Sequence, residues 1–471
     1  MPRDIDTSSP KVSNPLPLVE RQLEDSFAHI NTPIAPLGEL RDITVGEFIG
    51  QVVQLAAQLP EGKMVINLCD NRYLFTLGFC AVLLRGQTNL LPQNRAPATQ
   101  ALLHEQYPDS YILHDGLEQL LEACPAFNLA QLDLRAPVAV EIPQIPAEHL
   151  AAIAFTSGST GIPKANLKPW RTFVISTGMN AQAMLGDDYC ASDKQPALLH
   201  TLATVPAQHM WGLETSLLLP LFSRLCISDA RPLFPLDVAN ALQQLPEPRL
   251  LISTPVHLRA LVSSNVTMPP VKQLLCATAP LSDSLAQATE ACFGGELIEV
   301  YGCSEVGSMA RRRTAQTDIW QLFDGLAFAQ DFSVIRGDHL PQEQPVQDRI
   351  ETHDGRYFRL LGRGDDMVEI AGKRGSLQEM NKLLLATPGV VDGVVFMPED
   401  KSDSTQSVNR PVALVVGKNI TKQQLSARFA DHLDPVFVPR PMLLVDALPR
   451  EDNGKLPRAK LLAFYQQLRA N

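Results

Sequence analysis

Between about Val45 and Val300 the chain alternates helix-like and strand-like patterns without a break, and this alternation limits its folds more than any other feature. Phe48, Val52, Leu55 and Leu59 fall on one helical face, and Met64 to Leu68 follows as a short apolar run of strand length. Tyr73 to Leu84 reads as helix and Thr88 to Leu91 as strand. Further strands at Ala197 to Ala203, Leu225 to Ser228, Leu250 to Ser253 and Gln273 to Cys276 are separated by helical segments near 211–219, 237–245, 255–263 and 282–292. Repetition of this kind predicts parallel sheets with helices on both faces, an α/β class. From Trp320 to Leu361 the segments shorten and turns multiply (Asp324-Gly325, Arg336-Gly337-Asp338, His353-Asp354-Gly355), which suits a small antiparallel sheet or distorted β-barrel. After Arg363 a fresh α+β unit begins, with helix from Leu377 to Leu385, strands at Val394 to Met397 and Val412 to Val416, and helix from Thr421 to His432. The expected organisation is a large N-terminal domain, 1–364, and a smaller C-terminal domain, 365–471, because 471 residues exceed one compact core.

Composition removes several function classes. A net charge of −11, with no arginine-rich tract, argues against non-specific nucleic-acid binding. The eight cysteines show no Cys-x-x-Cys pair or zinc-like spacing, which fits reduced thiols in a cytoplasm. The longest apolar run, Tyr73 to Leu84, is too short for a membrane span and stops at Arg85, and the N-terminus lacks the apolar core of a signal peptide.

Four segments carry chemistry. The first, Thr156-Ser157-Gly158-Ser159-Thr160-Gly161-Ile162-Pro163-Lys164, follows the apolar run Leu150 to Phe155 and precedes a helical pattern that begins near Trp170. Strand, small-residue loop and helix form an arrangement that turns backbone N–H groups and hydroxyls toward a phosphate, with Lys164 adding positive charge. Its ending is not that of a Walker loop, and a plain surface turn is the bland alternative. The second, Tyr301-Gly302-Cys303-Ser304-Glu305, closes an extended run with a flat ring, a glycine, a hydroxyl and a carboxylate that suits Mg²⁺. The third, Gly362-Arg363-Gly364-Asp365-Asp366, lies where the pattern changes, as a hinge or a charged linker would. The fourth, Leu448-Pro449-Arg450-Glu451-Asp452-Asn453-Gly454-Lys455, presents Lys455 after a strong turn signal.

In this order the four segments resemble the acyl- and aryl-adenylate-forming superfamily of acyl-CoA synthetases, adenylation domains and luciferases, over roughly Ile43 to Tyr465. The compact length and the runs Val65 to Tyr73 and Leu83 to Gln87 are similar to hydroxybenzoate-type ligases of bacterial aryl-polyene and xanthomonadin pigment pathways. The resemblance implies ATP and Mg²⁺ as cofactors, a carboxylic acid substrate, and a phosphopantetheine thiol of CoA or an acyl carrier protein as acceptor. It implies that residues 156–161 and Lys164 hold the β- and γ-phosphates, Ser304 the α-phosphate and Glu305 the metal, with Lys455 bridging the attacking carboxylate and the α-phosphate. Ala277-Thr278-Ala279-Pro280 matches the segment lining adenine and acyl group, Tyr301 and Gly302 the base contact, Asp348 and Arg363 the ribose contacts, and Asp365 the hinge. His209, Met210, Trp211, Gly212 and Cys303 match the acid pocket, although Trp211 equally suits core packing; Gly372, Lys373 and Arg374 match the thiol tunnel. The chain departs from the pattern at Val346-Gln347 before Asp348, where Thr-Gly is usual, and at Glu369, where a basic residue is common. His209 replaces the aspartate that pairs with an amino-acid ammonium, which argues against amino acids; aromatic and fatty acids both stay open, as does a non-catalytic nucleotide-binding role.

Overall fold

The computed structural model describes residues 14–31, 41–92, 94–135, 137–156, 164–186, 198–329, 331–352, 354–363, 367–370, 373–398, 410–451 and 454–470. Among these residues the two large sheets have six and eleven strands. In the first sheet the order is Lys164–Pro169, Leu150–Thr156, Thr88–Leu91, Met64–Asn67, Ser110–His114, Ala126–Asn128; neighbours are parallel except the first pair. The helix Val45–Gln58 starts at a capping box, with Thr44 accepting from Glu47 N–H and Glu47 returning to Thr44 N–H. Helix Arg72–Leu84 is buried along almost its whole length, and Asn71 caps it by accepting from Leu74 N–H at 3.1 Å.

The second sheet has a parallel centre, ordered Glu296–Cys303, Gln273–Cys276, Arg249–Ser253, Leu199–Ala203, Leu225–Ser228 and Ser26–Ile30. Antiparallel strands extend both edges, Arg41–Thr44 on one and Gly307–Arg312, Trp320–Leu322, Tyr357–Arg363 and Asp348–Thr352 on the other. The short segments expected after Trp320 thus divide between this edge and a separate sheet of Leu326–Ala329, Val334–Gly337 and Gln344–Pro345. Because the central strands run in one direction, Thr204, Ser253, Ala277 and Cys303 all emerge at the same, C-terminal edge, where ligands of open α/β sheets gather.

One expectation needs correcting. The phosphate-loop motif does not run from strand directly into helix: residues 164–169 form a strand antiparallel to Leu150–Thr156, with Lys164 opposite Thr156, and the helix begins only at Trp170. The alternating burial of Lys164–Pro169 explains this, since Asn166 and Lys168 point inward while Ala165 and Leu167 point out. The loop therefore joins two strands of one sheet.

Residues beyond 367 build cores of their own. Val368, Ile370, Met380, Leu384, Val395, Val415 and Phe429 pack in one, and Phe396, Leu414, Leu448, Leu461 and Tyr465 in another. Asp365 and Gly364, where the hinge and boundary were expected, lie outside the described residues.

Candidate functional site

The two sheets meet where the strand Lys164–Pro169 faces the turn between Glu296–Cys303 and Gly307–Arg312. Lys164 Nζ stands 3.5 Å from Glu305 Oε1, and Lys168 Nζ donates to the backbone oxygen of Glu305 at 2.9 Å. Lys164 is mostly exposed and Glu305 half-buried, so both charges face an open seam. The turn itself is tight. A Cβ on Gly302 would lie 2.4 Å from Gly307 O, so the glycine there permits close backbone approach across the hairpin. Ser304 is half-buried and Cys303 exposed beside it.

The nucleotide residues expected from sequence come together in part. The Tyr301 hydroxyl donates to Asp348 Oδ2 at 2.5 Å, and the ring packs against Trp320 and Phe358 with centroids 5.7 and 6.4 Å away. Asp348 pairs in register with Arg363 across the last two strands of the edge, so both ribose candidates share one ladder position. The Arg363 side chain lies outside the described residues, as do Ser157, Gly158, Ser159, Thr160, Gly161, Gly372 and the side chains of Thr156 and Arg374. Thr278 and Ala279 are half-buried after the strand Gln273–Cys276, and Thr278 has φ +86°, a left-handed conformation that costs a β-branched residue energy. The surroundings hold it: buried Glu299 accepts from Leu281 N–H (3.2 Å), Arg312 Nε (2.7 Å) and the Thr314 hydroxyl (2.5 Å), tying the end of this segment to the sheet.

In the expected acid pocket, His209 and Met210 are half-buried at the start of the helix Met210–Leu213. Trp211 is only 7% exposed, belongs to the core, and donates its indole N–H to Ser253 O at 3.1 Å. A Cβ on Gly212 would meet Pro206 O at 2.0 Å, so backbone packing accounts for this glycine. Glu214, four-hundredths exposed at the start of the π-helical turn Glu214–Leu218, accepts from Ser308 N–H and hydroxyl at 3.2 and 2.7 Å. Burial pushes its carboxyl above the usual range, and Lys168 opposes that shift.

Lys455 is exposed on a closed turn: Glu451 N–H donates to Lys455 O, and Gly454 N–H to Glu451 O, both at 2.8 Å. Gly454 (φ +80°) lies beside Thr254 and Val256, so the turn rests on the N-terminal end of the helix Pro255–Val262, which follows the strand Arg249–Ser253. Arg450 anchors it, donating to Gly454 O (3.0 Å) and, through Nε and Nη2, to both oxygens of Asp392 (2.7 and 2.8 Å). Arg259, from the helix Pro255–Val262, stands 3.6 Å from the same carboxylate. Lys373 is bonded to Asp434.

Sequence reasoning passed over Lys168, Glu214, Glu299, His339, Arg259 and Asp392. A buried Lys on a strand carries no local pattern that distinguishes it from an exposed one, and each of these contacts joins residues distant in sequence. A separate cleft of about 830 Å³, between the ends of the strands Met64–Asn67, Ser110–His114 and Leu225–Ser228, is lined by Asp70, Asn71, Arg95, Asp115, Asp229 and Arg231 among others. Asp70 bridges Arg95 and Arg231 at 2.5 and 2.7 Å. It contains none of the ring, hydroxyl or carboxylate groups gathered around Glu305.

Comparison with known proteins identifies the family. The family model described as AMP-binding enzyme matches residues 35–324. A 4-coumarate–CoA ligase of Rhodobacter capsulatus is 30% identical over 244 residues, which span 52% of this chain and 60% of that protein. A 3,4-dihydroxybenzoate–[aryl-carrier protein] ligase of Bacillus anthracis is 22% identical over 67% of this chain and 74% of its own. Among solved structures, ATP-bound MatB from Rhodopseudomonas palustris superposes with a TM-score of 0.76 at 16% identity, covering 95% of this chain and 97% of that one, which speaks for the fold. Since the family model covers well over half of the chain and falls on the sheets that build the site, the protein belongs to the AMP-binding enzyme family.

Proposed function

We propose that the protein is an ATP-dependent ligase that adenylates an aromatic, hydroxybenzoate-like carboxylic acid and passes the acyl group to the phosphopantetheine thiol of an acyl carrier protein or CoA. The observation that carries this reading is the approach of Lys164 to Glu305 at 3.5 Å across the seam of the two sheets. Supporting it, the two curated relatives above are named for aromatic acids, one with CoA and one with a carrier protein as acceptor.

In the first step a carboxylate oxygen attacks the α-phosphorus of ATP and pyrophosphate leaves. Two anions must meet, so orientation and charge neutralisation supply most of the acceleration. Thr156, the loop 157–161 and Lys164 hold the departing phosphates. Ser304 donates to an α-phosphate oxygen. Tyr301, braced by Trp320 and Phe358, offers a ring face to adenine, while Asp348 and Arg363 receive the ribose hydroxyls. Among the described residues there is no cluster of three or more His, Cys, Asp or Glu that would hold a resident metal. A lone half-buried carboxylate fits a Mg²⁺ that arrives with ATP, because Mg²⁺ is commonly held by one or two carboxylates plus substrate phosphates. Glu305 would be that ligand, and the ion when bound neutralises charge on the phosphate oxygens. Lys455 reaches the acid and the α-phosphate from its turn.

In the second step the thiol sulfur attacks the acyl carbon and AMP leaves. Here residues 365–471 act as a mobile unit that rotates about Asp365, carrying Lys455 away and bringing Gly372, Lys373 and Arg374 to the thiol tunnel. His209, Met210 and Cys303 border the acid, with Trp211 backing them from the core. The experiment is ATP–pyrophosphate exchange with 3- and 4-hydroxybenzoate, cinnamates, fatty acids and amino acids offered in turn. Exchange with hydroxybenzoates is expected. Preference for fatty or amino acids overturns the aromatic assignment, and silence with every acid overturns adenylation.

A further inference from the structure

The turn 303–308, which carries Ser304 and Glu305, is gripped by more buried polar groups than a surface hairpin requires. Lys168, 3% exposed, donates to Glu305 O at 2.9 Å. Residues 164, 166 and 168 share one face of their strand, so Lys164 and Lys168 approach the same residue, one at its carboxylate and the other at its backbone. His339, 1% exposed, donates from Nε2 to Val306 O at 3.0 Å, and its own carbonyl accepts from the Thr172 hydroxyl at 2.8 Å. Glu214 holds the far end through Ser308, and its Oε1 fills the place that a Cβ on Gly307 would take, 2.4 Å away. Gly307 has φ +92°, so a side chain there is excluded by conformation as well as by space.

A buried ammonium and a buried carboxylate are expensive to desolvate, and an apolar pair of the same volume is often at least as stable. Stability therefore does not account for Lys168 and Glu214. We infer that Lys168 is a positioning residue: it fixes the Glu305 backbone so that the Glu305 carboxylate is set for Mg²⁺ before ATP arrives. It also ties that turn to the strand leaving the phosphate loop, so the two phosphate-handling segments move as one. This inference rests on the adenylating reading of the site. Lys168 acts through Glu305 and does not touch substrate.

The test compares Lys168→Met, Lys168→Arg and the charge-balanced Lys168→Met/Glu214→Gln with wild type. Calorimetry follows binding of a non-hydrolysable ATP analogue across a Mg²⁺ titration and, separately, binding of AMP without Mg²⁺. Lys168→Met should raise the Mg²⁺ concentration for half-maximal analogue binding about tenfold, the usual scale for losing a group that orients a metal ligand. AMP affinity and thioester formation from supplied acyl-adenylate should stay within about twofold, and Lys168→Arg, which keeps charge and donor, should recover most of the Mg²⁺ dependence. If Lys168→Met does not fold, the double variant, which leaves no unpaired buried charge, carries the same expectation. An unchanged Mg²⁺ dependence in either folded variant, or a parallel fall in AMP affinity, overturns the inference. Wild type that binds the Mg²⁺–analogue complex but exchanges pyrophosphate with no acid defeats the functional reading while leaving this comparison intact.

Discussion

Asp392 is the point through which the turn bearing Lys455 is held against the parallel sheet. Its carboxylate takes two hydrogen bonds from Arg450, at 2.7 and 2.8 Å, and faces Arg259 at 3.6 Å; the three side chains are 15, 18 and 17% exposed. Asp392→Ala removes a bidentate, charge-assisted pair and leaves two largely buried guanidinium groups without it. Charge-assisted hydrogen bonds contribute roughly 1.5–3 kcal/mol, and stranding a buried partner adds to the loss, so about 2–4 kcal/mol should be lost locally. Arg450 also donates to Gly454 O, one residue before Lys455, so its disorder passes directly to the lysine. A loss of about 2 kcal/mol in the docked turn means roughly 30-fold lower occupancy. Pyrophosphate exchange should fall by about 10- to 30-fold. Thioester formation from supplied acyl-adenylate should change by less than about twofold, because Lys455 serves only the first step in the proposed mechanism. Arg259→Met is the control: it removes only the longer ion pair and spares Arg450–Asp392, and a decrease of a few-fold, about 1 kcal/mol, is expected. Equal losses in both half-reactions, or unchanged exchange in a folded Asp392→Ala protein, would refute the reasoning.

Lys455→Ala should abolish exchange yet spare thioester formation from the supplied adenylate; equal loss of both half-reactions removes the lysine from its first-step role. Tyr301→Phe takes away the donor that orients Asp348 and should weaken AMP binding about tenfold by calorimetry; unchanged affinity would mean that this hydrogen bond does not serve the nucleotide. His114 accepts at Nδ1 from the N–H groups of Gly116 and Leu117, both at 3.2 Å, and burial holds its imidazole below the ordinary histidine range. With the folded pKa depressed, its stabilising effect is present above the unfolded value and is lost as pH falls toward the folded one, by at most about 1.4 kcal/mol per pH unit. His114→Asn keeps an acceptor that does not titrate, so the wild-type advantage in urea midpoint should shrink between about pH 7.5 and 5.5. Parallel midpoints across that interval would show that His114 contributes nothing to the acid sensitivity.

What the sequence made legible was what periodicity and local turn chemistry can encode. Thr88–Leu91, Leu225–Ser228 and Gln273–Cys276 carry the same bounds in structure as in pattern, because a buried parallel strand is a short apolar run closed by polar residues. The helix expected from Trp170 begins there, but the strand Lys164–Pro169 before it was missed, because its two inward polar residues, Asn166 and Lys168, hide its alternation from a hydrophobic reading. The same polarity explains why the candidate site was only half visible. Tyr301, Glu305 and Lys455 stand in segments whose composition is distinctive, whereas the groups that hold the Glu305 and Lys455 turns in place are Lys168, Glu214 and Asp392, each meeting partners distant in the chain. Glu214 and Ser308 are 94 residues apart, and Lys168 and Glu305 are 137 apart. No local window spans such pairs, and charged residues at these positions look like solvated surface until the fold buries them. A change at a reacting group should therefore alter one step, while a change at a buried holder should alter the metal dependence or the docking of Lys455 and leave the nucleotide contacts in place.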